Sequence, residues 1–237
     1  MINIALLGKK YQDYIFYLEN MSIGETNISQ EPEKVLGGCH NMLAVTADNV
    51  KFQIFTVGSK DAYIISESGT STRTSIVINK SVSNYNDSII DNINANYTWA
   101  HVCYIDDLER PEQLLDLSID FSIDFCTLKP RHEFADIINK AKVVFDSRER
   151  KHLYQEVYSK TPIIFHDQYG IEVNADKDIL FESSIDPVPN LNVNGAGDMY
   201  AANFIKNYHT YGIIKSANMA MISTTHLLKK RIKQTNG

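Results

Sequence analysis

Residues 192–198 read Asn-Val-Asn-Gly-Ala-Gly-Asp, and residues 199–208 after them have the pattern of a helix. Gly195 and Gly197 lack a Cβ, so the backbone can turn tightly there and approach a ligand. The N–H groups that open a helix lie at the positive end of its dipole and favour a bound phosphate or oxyanion. Asp198 adds a carboxylate in the first helical turn. These residues suit phosphoryl transfer, although they are also ordinary helix-capping residues.

Composition places the chain among globular proteins. Its 237 residues are 43% hydrophobic and 22% charged, which is enough to bury a large core. The net charge is −6, and the basic run at 229–233 is better explained as complementing a helix C-terminus than as a nucleic-acid site. No window approaches the ~20 apolar residues of a membrane span. We therefore expect neither nucleic acid nor a membrane as a partner.

Cysteine usage favours a reducing compartment. The three cysteines are widely spaced and form no Cys-x-x-Cys motif: Cys39, Cys103 and Cys126. They are expected to be small buried hydrophobes with reduced thiols. Residues 1–7 are too short for a secretory signal and lack a basic segment, so the expected location is cytoplasmic. His101 and His166 lie in apolar runs and are expected to be core residues with satisfied hydrogen bonds.

The order of the remaining elements indicates an α/β protein. Short apolar strands alternate with helices from residue 99 onward, which predicts a parallel sheet covered on both faces. A hairpin is expected at 171–181, a helix end at Gly212, and an excursion from the main fold at 66–96. Strands are predicted at 2–7 (ending at Gly8), 51–57 (ending at Gly58), 72–79, 99–105, 118–125, 143–145 and 162–165, and helices at 40–49, 111–117, 132–139 and 148–158.

Three polar, glycine-containing segments fall where strands are expected to end. They are residues 8–13, 37–38 and 195–198. Ligands of an open parallel sheet bind beyond the carboxyl ends of its strands. The topology therefore predicts that the three segments converge on one cleft.

Two motifs in this order resemble the PfkB (ribokinase-like) carbohydrate kinase family. The second signature of that family, Asp-Thr-x-Gly-Ala-Gly-Asp before an apolar helix, is similar to residues 192–198. The first, a Gly-Gly pair followed by Asn and a helix, is similar to residues 37–44. Gly8 and Asp13 match an early glycine and a later aspartate, and residues 216–220 resemble a late helix that contains Ala-Asn.

The resemblance covers essentially the whole chain and implies a single ribokinase-like domain spanning residues 1–237. Its fold would be a three-layer α/β/α sandwich with a mostly parallel central sheet and a small β-sheet lid. Parts of about 9–36 and 51–84 would form that lid, which in the family closes over a sugar or nucleoside. A homodimer through the lid is a further expectation, because unpaired strand edges invite pairing.

The resemblance also implies an activity: ATP-dependent phosphorylation of a hydroxyl group of a sugar or sugar-like metabolite. Asp198 matches the general base, which accepts the hydroxyl proton, and Gly195, Ala196 and Gly197 match an anion hole. Mg²⁺ would bridge the phosphates of ATP. The sugar-binding positions implied are Asp13, Gly37, Gly38 and Asn41, and the nucleotide-binding positions are Asn194 and Asn218. Asp13 as a solvated turn residue and Asn41 as a helix cap are the alternative interpretations.

The chain departs from the family at positions that concern the metal. Asn192 and Val193 stand in place of Asp and Thr in the second signature. The Asn-x-x-Glu motif that helps to organise Mg²⁺ after the strand at 143–145 corresponds here to Ser147 and Arg150. The metal ligands are therefore left open, with Asp146 or Glu149 as substitutes or as surface charge.

Two alternative functions follow from these residues. The departures fit a degenerate kinase fold that acts as a sugar or nucleotide sensor, or as a partner subunit. A nucleoside kinase is the other alternative, because aromatic residues near Asp13 could stack a base, although core and lid packing also explains them. These aromatic residues are Tyr11, Tyr14, Phe16 and Tyr17.

Overall fold

The computed structural model describes residues 2–19, 22, 24–45, 49–67, 73–79, 85–188 and 193–235. The strands in these ranges are β1 (Ile2–Leu18), β2 (Glu33–Gly37), β3 (Val50–Glu67), β4 (Arg73–Asn79), β5 (Trp99–Val102), β6 (Asp120–Asp124), β7 (Val143–Ser147), β8 (Ile163–His166), β9 (Gly170–Ala175) and β10 (Asp178–Ser184). The α-helices are α1 (Cys39–Met42), α2 (Asp87–Asn96), α3 (Ala135–Lys140) and α4 (Ala196–Thr235). Short 3₁₀ helices span Ile105–Asp107, Pro111–Asp116, Arg131–Phe134 and Arg148–Tyr154.

The strands form one sheet in the order β10-β9-β8-β7-β6-β5-β1-β3-β4, and β2 pairs with β1. Strands β5 to β8 and the first halves of β1 and β3 run parallel, which confirms the predicted parallel sheet. The hairpin at 171–181 is confirmed as β9 and β10.

Helices cover both faces of the central sheet. Side chains alternate between the faces of a strand, and β1 shows this directly. Ile4 and Leu6 pack in one apolar cluster with α1 and α4, whereas Ala5 and Leu7 pack in a second cluster with α2 and α3. The three-layer α/β/α architecture is thereby confirmed.

Strands β1 and β3 continue past the glycines at which they were expected to end. The pairing shifts register between Gly8, opposite Thr56, and Lys10, opposite Ser59. Gly58, with φ 92°, supplies the positive φ that such a bulge requires. The predicted strand ends at Gly8 and Gly58 are therefore wrong, because these glycines bend continuous strands. Beyond the bulge, the second halves of β1 and β3 lie beside β2 and β4. We call this four-stranded region the outer sheet.

The helix predictions were less accurate. The helix expected at 40–49 is limited to α1 within the described residues, and the two expected at 111–117 and 148–158 are 3₁₀ helices. Helix α2 lies inside the predicted excursion and was missed. Gly212 interrupts α4 with φ 70° and ψ −173°, which confirms the expected break. Thr72, in the predicted strand at 72–79, lies outside the described residues.

None of the helices in the described ranges is long and apolar enough to cross a membrane.

Candidate active site

A cleft of about 920 Å³ lies where the outer sheet meets the carboxyl ends of the central strands. The predicted convergence is observed for most of the expected residues: Asp13, Gly38, Asn41, Gly195, Ala196, Gly197 and Asp198 all line the cleft. Gly37 lies behind it, and a Cβ at Gly37 would overlap the carboxyl group of Asp13. Gly8 packs instead against Cys39 and Cys103.

The Asp198 carboxylate joins the two signature motifs. It stands in the first turn of α4 and is only 2% exposed. Asn41 Nδ2 donates a hydrogen bond to its Oδ2 at 2.8 Å. Gly195 has φ 71°, and a Cβ there would overlap the Asn41 side chain. Asn41 and Asp198 are 157 residues apart in sequence, and their two motifs fit together only if residue 195 is glycine.

Tyr104 is a site residue that the sequence did not reveal. Its hydroxyl donates a hydrogen bond of 2.9 Å to Oδ1 of Asp198. The residue has φ 61° and ψ 67°, a left-handed conformation that is strained for a bulky side chain. Burial, and secondarily the charge of Asp198, raises the pKa of Tyr104 well above its ordinary value, so the phenol stays protonated and donates. An aromatic residue after a buried strand gives no sequence signal for this role.

The start of α4 offers fewer free amides than expected. The Ala196 N–H donates to the carbonyl of Val193 at 3.0 Å, so it is engaged in a turn. The N–H groups of Gly195 and Gly197 have no hydrogen-bond partner within the described part of the chain. Arg231 Nη1 donates to the Asn194 carbonyl at 2.8 Å and ties α4 to this loop.

The basic run at 229–233 lies in the last turns of α4, near the C-terminus of that helix, as expected. Arg231 makes an additional contact with the loop that precedes the start of α4, because the kink at Gly212 turns the second half of this helix back along the first.

Asp13 and Asn41 do not have the local roles that were their alternatives. Asp13 is 8% exposed and lies within β1, so it is not a solvated turn residue. Asn41 lies inside α1, whose N-cap is Gly38, so it is not a cap. Both side chains line the cleft near Asp198.

A second polar cluster lies between the outer sheet and the 3₁₀ helix that follows β5. Lys60 Nζ forms an ion pair with Asp107, and the Tyr11 hydroxyl donates to the same carboxylate. All three line the cleft. Burial, followed by the nearby Cys126 and Asp107, raises the pKa of Tyr11, so this phenol also remains a donor.

The aromatic residues around Asp13 mostly face away from the cleft. Tyr14 stacks on Tyr63 with 5.0 Å between ring centroids, and the Tyr17 hydroxyl donates to Glu33. Tyr11 is the member of the group that lines the cleft within the described chain. Phe16 belongs to β1 and is absent from that lining.

Asp146 is neither a metal ligand nor a surface charge in this structure. It is fully buried at the end of β7. Arg131 Nε at 3.0 Å, Tyr154 Oη at 2.9 Å and Arg150 Nε donate to its two oxygens. A carboxylate whose oxygens are taken by these donors has no free position for a cation.

The described residues do not include a cluster of ligands dedicated to the expected Mg²⁺. Glu149 is exposed at the rim of the cleft, and Ser147 is half-buried there. The described residues contain no group of three or more His, Cys, Asp or Glu side chains placed to hold a metal ion. The residues present fit a Mg²⁺ ion that arrives chelated by the phosphates of its nucleotide, as Mg²⁺ commonly does.

Asp124 adds a second carboxyl group to the floor of the cleft. It ends β6 and accepts a hydrogen bond from the Phe125 N–H at 2.7 Å. Burial raises the pKa of Asp124 well above its ordinary value, and the charges of Asp198 and Asp146 raise it further. The guanidinium of Arg150 opposes that rise.

The two histidines are only partly satisfied, so the expectation of satisfied hydrogen bonds is wrong. His101 Nδ1 lies 2.8 Å from Ser122 Oγ, but Nε2 of both His101 and His166 is buried without a partner in the described residues. Burial lowers the pKa of His101 to about 3 and that of His166 to about 4. Both rings are therefore neutral near pH 7, and His166 lines the cleft.

The lining contributed by β9, the segment after β10 and the second half of α4 mixes an apolar wall with polar side chains such as Asp186, Thr224 and Thr225. The apolar lining residues of these segments and of the loop before α4 are Ile171, Ile185, Val188, Val193, Met221 and Leu228. Of the two expected nucleotide-binding residues, Asn218 accepts a hydrogen bond from Ser183 of β10 at 3.2 Å. Asn194 is buried in the loop before α4. Neither side chain belongs to the lining itself.

None of the three cysteines forms a disulfide. Cys39 and Cys103 are buried, as expected, whereas Cys126 is half-buried on the cleft, so the expectation of a buried residue is wrong for Cys126.

Comparison with solved structures establishes the class of fold. A microbiome-derived acarbose kinase is 15% identical with a TM-score of 0.67, covering 94% of this chain and 91% of that chain. Ribokinase of Arabidopsis thaliana, solved with ribose and ATP, is 11% identical with a TM-score of 0.67, covering 97% and 93%. A pyrophosphate-dependent kinase in the ribokinase family is 15% identical with a TM-score of 0.64, covering 95% of each chain.

The chain therefore has the fold of the ribokinase-like kinases, and the resemblance carried by its two signature motifs is confirmed at that level. No family model and no curated protein matches the sequence.

Proposed function

We propose that this protein is an ATP-dependent phosphotransferase that phosphorylates a hydroxyl group of a sugar or sugar-like metabolite. One observation carries the proposal: the Asp198 carboxylate stands at the start of α4 and is hydrogen-bonded to Asn41 inside a cleft. A general base and helix-opening N–H groups thus face the same space. The kinases that share this fold add support by analogy.

The transfer step follows from this arrangement. Asp198 accepts the proton of the acceptor hydroxyl as its oxygen bonds to the terminal phosphorus of ATP, and the bond from that phosphorus to the bridging oxygen breaks, releasing ADP. Asn41 and Tyr104 orient the carboxylate, because each donates a hydrogen bond to a different one of its two oxygens. The N–H groups of Gly195 and Gly197 stabilise the charge of the group in transit.

The two ends of the cleft have different chemistry, which orients the substrates. Asp13 and Asn41 offer short, directional groups to vicinal hydroxyls of the acceptor, beside Gly38 and with Gly37 behind them. The apolar wall beyond α4 suits a nucleobase. Asn194, in the loop before α4, and Asn218, in the second half of α4, are the proposed nucleotide-binding residues on this side. Mg²⁺ would be held by the phosphates of ATP and would supply charge stabilisation there.

The test is Asp198→Asn assayed by ADP release against a panel of sugars and nucleosides. We expect an intact fold and a loss of at least ~100-fold in turnover, because general-base catalysis contributes about that much. Asp186→Asn is the control, since Asp186 also lines the cleft but is exposed. An unchanged rate in Asp198→Asn would remove this carboxylate from the mechanism.

The same panel decides between the proposal and its alternatives. Arg150, which stands where a metal-organising carboxylate was expected, favours a sensor or partner subunit as the second candidate. Calorimetric binding of ATP analogues and sugars without ADP release, in both Mg²⁺ and Mn²⁺, would establish that candidate. Turnover with nucleosides alone would establish the nucleoside kinase, for which Tyr11 on the cleft is the supporting residue.

We also propose that two copies associate through the outer sheet. Strand β4 is an edge strand, and Ile76 and Ile78 on it are 59% and 51% exposed. Unpaired edges with apolar side chains favour a second strand. We expect Ile76→Lys/Ile78→Lys to halve the mass measured by analytical ultracentrifugation. Ile179→Lys on β10, the opposite edge, is the matched control at 56% exposure. A wild-type monomer would refute the association.

We further propose that residues 1–237 form one domain and that its outer sheet acts as the lid. We propose a cytoplasmic location, where the three free thiols would stay reduced.

A further inference from the structure

Arg150 brings a fixed positive charge to the cleft. It lies in the 3₁₀ helix after β7, lines the cleft, and has a side chain that is 21% exposed. Arg150 Nε donates to Asp146, and Nη2 donates to the carbonyl of Phe125 at 2.9 Å. These two bonds fix the plane of the guanidinium. Its Nη1 makes no hydrogen bond with any described part of the chain.

Asp146 does not need Arg150 in order to be buried. Arg131, Tyr154 and the backbone N–H of Ser147 already donate to its two oxygens. The pair of Arg150 with Asp146 is therefore better understood as a support for the arginine. Charge-assisted bonds to a rigid carboxylate hold a guanidinium at one place and orientation.

Arg150 borders the same cleft as Asp198 and the start of α4. Its charge acts on Asp124, which also experiences the charge of Asp198. It acts on His166 too, whose Cε1 would lie 3.2 Å from a Cβ added to Gly197. All five residues border the cleft. The phosphates of a nucleotide bound at α4 would pass through this space.

We propose that Arg150 is a donor-binding residue whose guanidinium contacts the terminal phosphates of the nucleotide. The inference rests on the proposed function, because it takes ATP as the donor. A planar guanidinium held by one edge presents its remaining N–H groups to phosphate oxygens in a fixed, fork-like geometry. The chain thus uses its own cation at a position where the resemblance implied a carboxylate for Mg²⁺.

The experiment compares affinities along a ladder of adenosine, AMP, ADP and ATP by calorimetry. For Arg150→Gln we expect ATP and ADP to bind roughly 10- to 100-fold more weakly, as for the loss of a hydrogen bond to a charged group. Adenosine and AMP should bind within about 2-fold of wild type, because the terminal phosphates are absent from them. Inorganic pyrophosphate, which lacks the base, is a second probe and should lose affinity like ADP.

Two further variants keep the test decisive. Arg148→Gln is the matched control, because Arg148 pairs with Asp167 and Glu182 and lies outside the cleft lining. It should leave the whole ladder unchanged. Arg150→Lys keeps the charge without the planar fork, so it should fall between wild type and Arg150→Gln. It also replaces Arg150→Gln if thermal unfolding shows that the latter does not fold.

The outcomes separate this inference from the proposed function. An equal loss for all four ligands, or no loss for ATP, would overturn the role of Arg150 even if wild type is an active kinase. A loss of affinity in Arg150→Gln that is present for ADP and ATP but absent for AMP and adenosine supports the role. If that pattern occurs in a protein that phosphorylates no acceptor, the phosphate contact is retained and the kinase proposal fails.

Discussion

The proposed acceptor and donor ends of the cleft each depend on a buried carboxylate that accepts several hydrogen bonds. The groups that donate these bonds differ between the two ends. At the proposed acceptor end, the Asp198 carboxylate accepts hydrogen bonds from an amide and a phenol, those of Asn41 and Tyr104. At the donor end, Asp146 is held by a phenol and two guanidinium groups, Tyr154, Arg131 and Arg150. In the mechanism that we propose, the first carboxylate accepts a proton and the second supports a cation.

The two ends depend on different properties. One depends on backbone geometry, and the other depends on the charge of its side chains. At the acceptor end, glycine is required because the two motifs approach each other within the space of a missing Cβ. At the donor end, side chains reach the cleft from a 3₁₀ helix, so a different charge can be placed there without moving a strand. We therefore expect substitutions at the two ends to fail in different ways.

The largest effect is expected for Gly195→Ala, which breaks the acceptor end. A Cβ at residue 195 would displace Asn41, which holds Asp198, and the φ of 71° would add backbone strain. A misplacement of about 1 Å in such a group costs roughly 100-fold in rate, and we expect at least that loss in kcat. Steady-state kinetics by ADP release measures it.

Gly212→Ala provides the control for backbone strain. Gly212 has φ 70°, almost the same as Gly195, but a Cβ there would meet no atom within 4 Å. Both variants should lose about 1–3 kcal/mol of stability, the cost of a strained residue, when measured by denaturant unfolding. If Gly212→Ala also lost activity, backbone strain alone would account for the loss of kcat in Gly195→Ala. The contact between residue 195 and Asn41 would then not be its cause.

The same contrast explains how much the sequence could predict. The parallel sheet, the hairpin and the break at Gly212 follow from apolar periodicity and turn residues, and the structure confirms them. The meeting of residues 37–41 with 195–198 followed from strand ends and from the glycines themselves. These features depend on the conformation of the backbone, and glycine residues indicate them in the sequence.

The features that the sequence did not predict depend on tertiary contacts, which produce no local sequence pattern. Gly8 and Gly58 have the pattern of strand ends, yet pairing between β1 and β3 carries both strands through a bulge. Tyr104 acts through a left-handed backbone that only the packed structure supports. Arg150 was recognised in the sequence as a departure, but its pairing with Asp146 and Phe125 could not be derived from spacing.

A smaller effect is expected for Tyr104→Phe, which sharpens the comparison because it removes one hydrogen bond from Asp198. We expect kcat to fall roughly 10-fold, equivalent to about 1.4 kcal/mol in the barrier. The acidic limb of the pH–rate profile should also move to higher pH, because a carboxylate that loses a donor holds its proton more tightly. A loss of packing alone would not move that limb.

Tyr154→Phe is the corresponding change at the donor end. The Tyr154 hydroxyl donates to Asp146 at 2.9 Å, the same length as the bond from Tyr104 to Asp198. Both variants should lose stability by about 1–3 kcal/mol, since each removes a hydrogen bond to a buried carboxylate. Only Tyr104→Phe should shift the pH–rate profile, because Asp146 supports a cation and takes no proton from the acceptor. Equal shifts in both variants would mean that the two carboxylates are not divided between reaction and support, and the contrast between the ends of the cleft would fail.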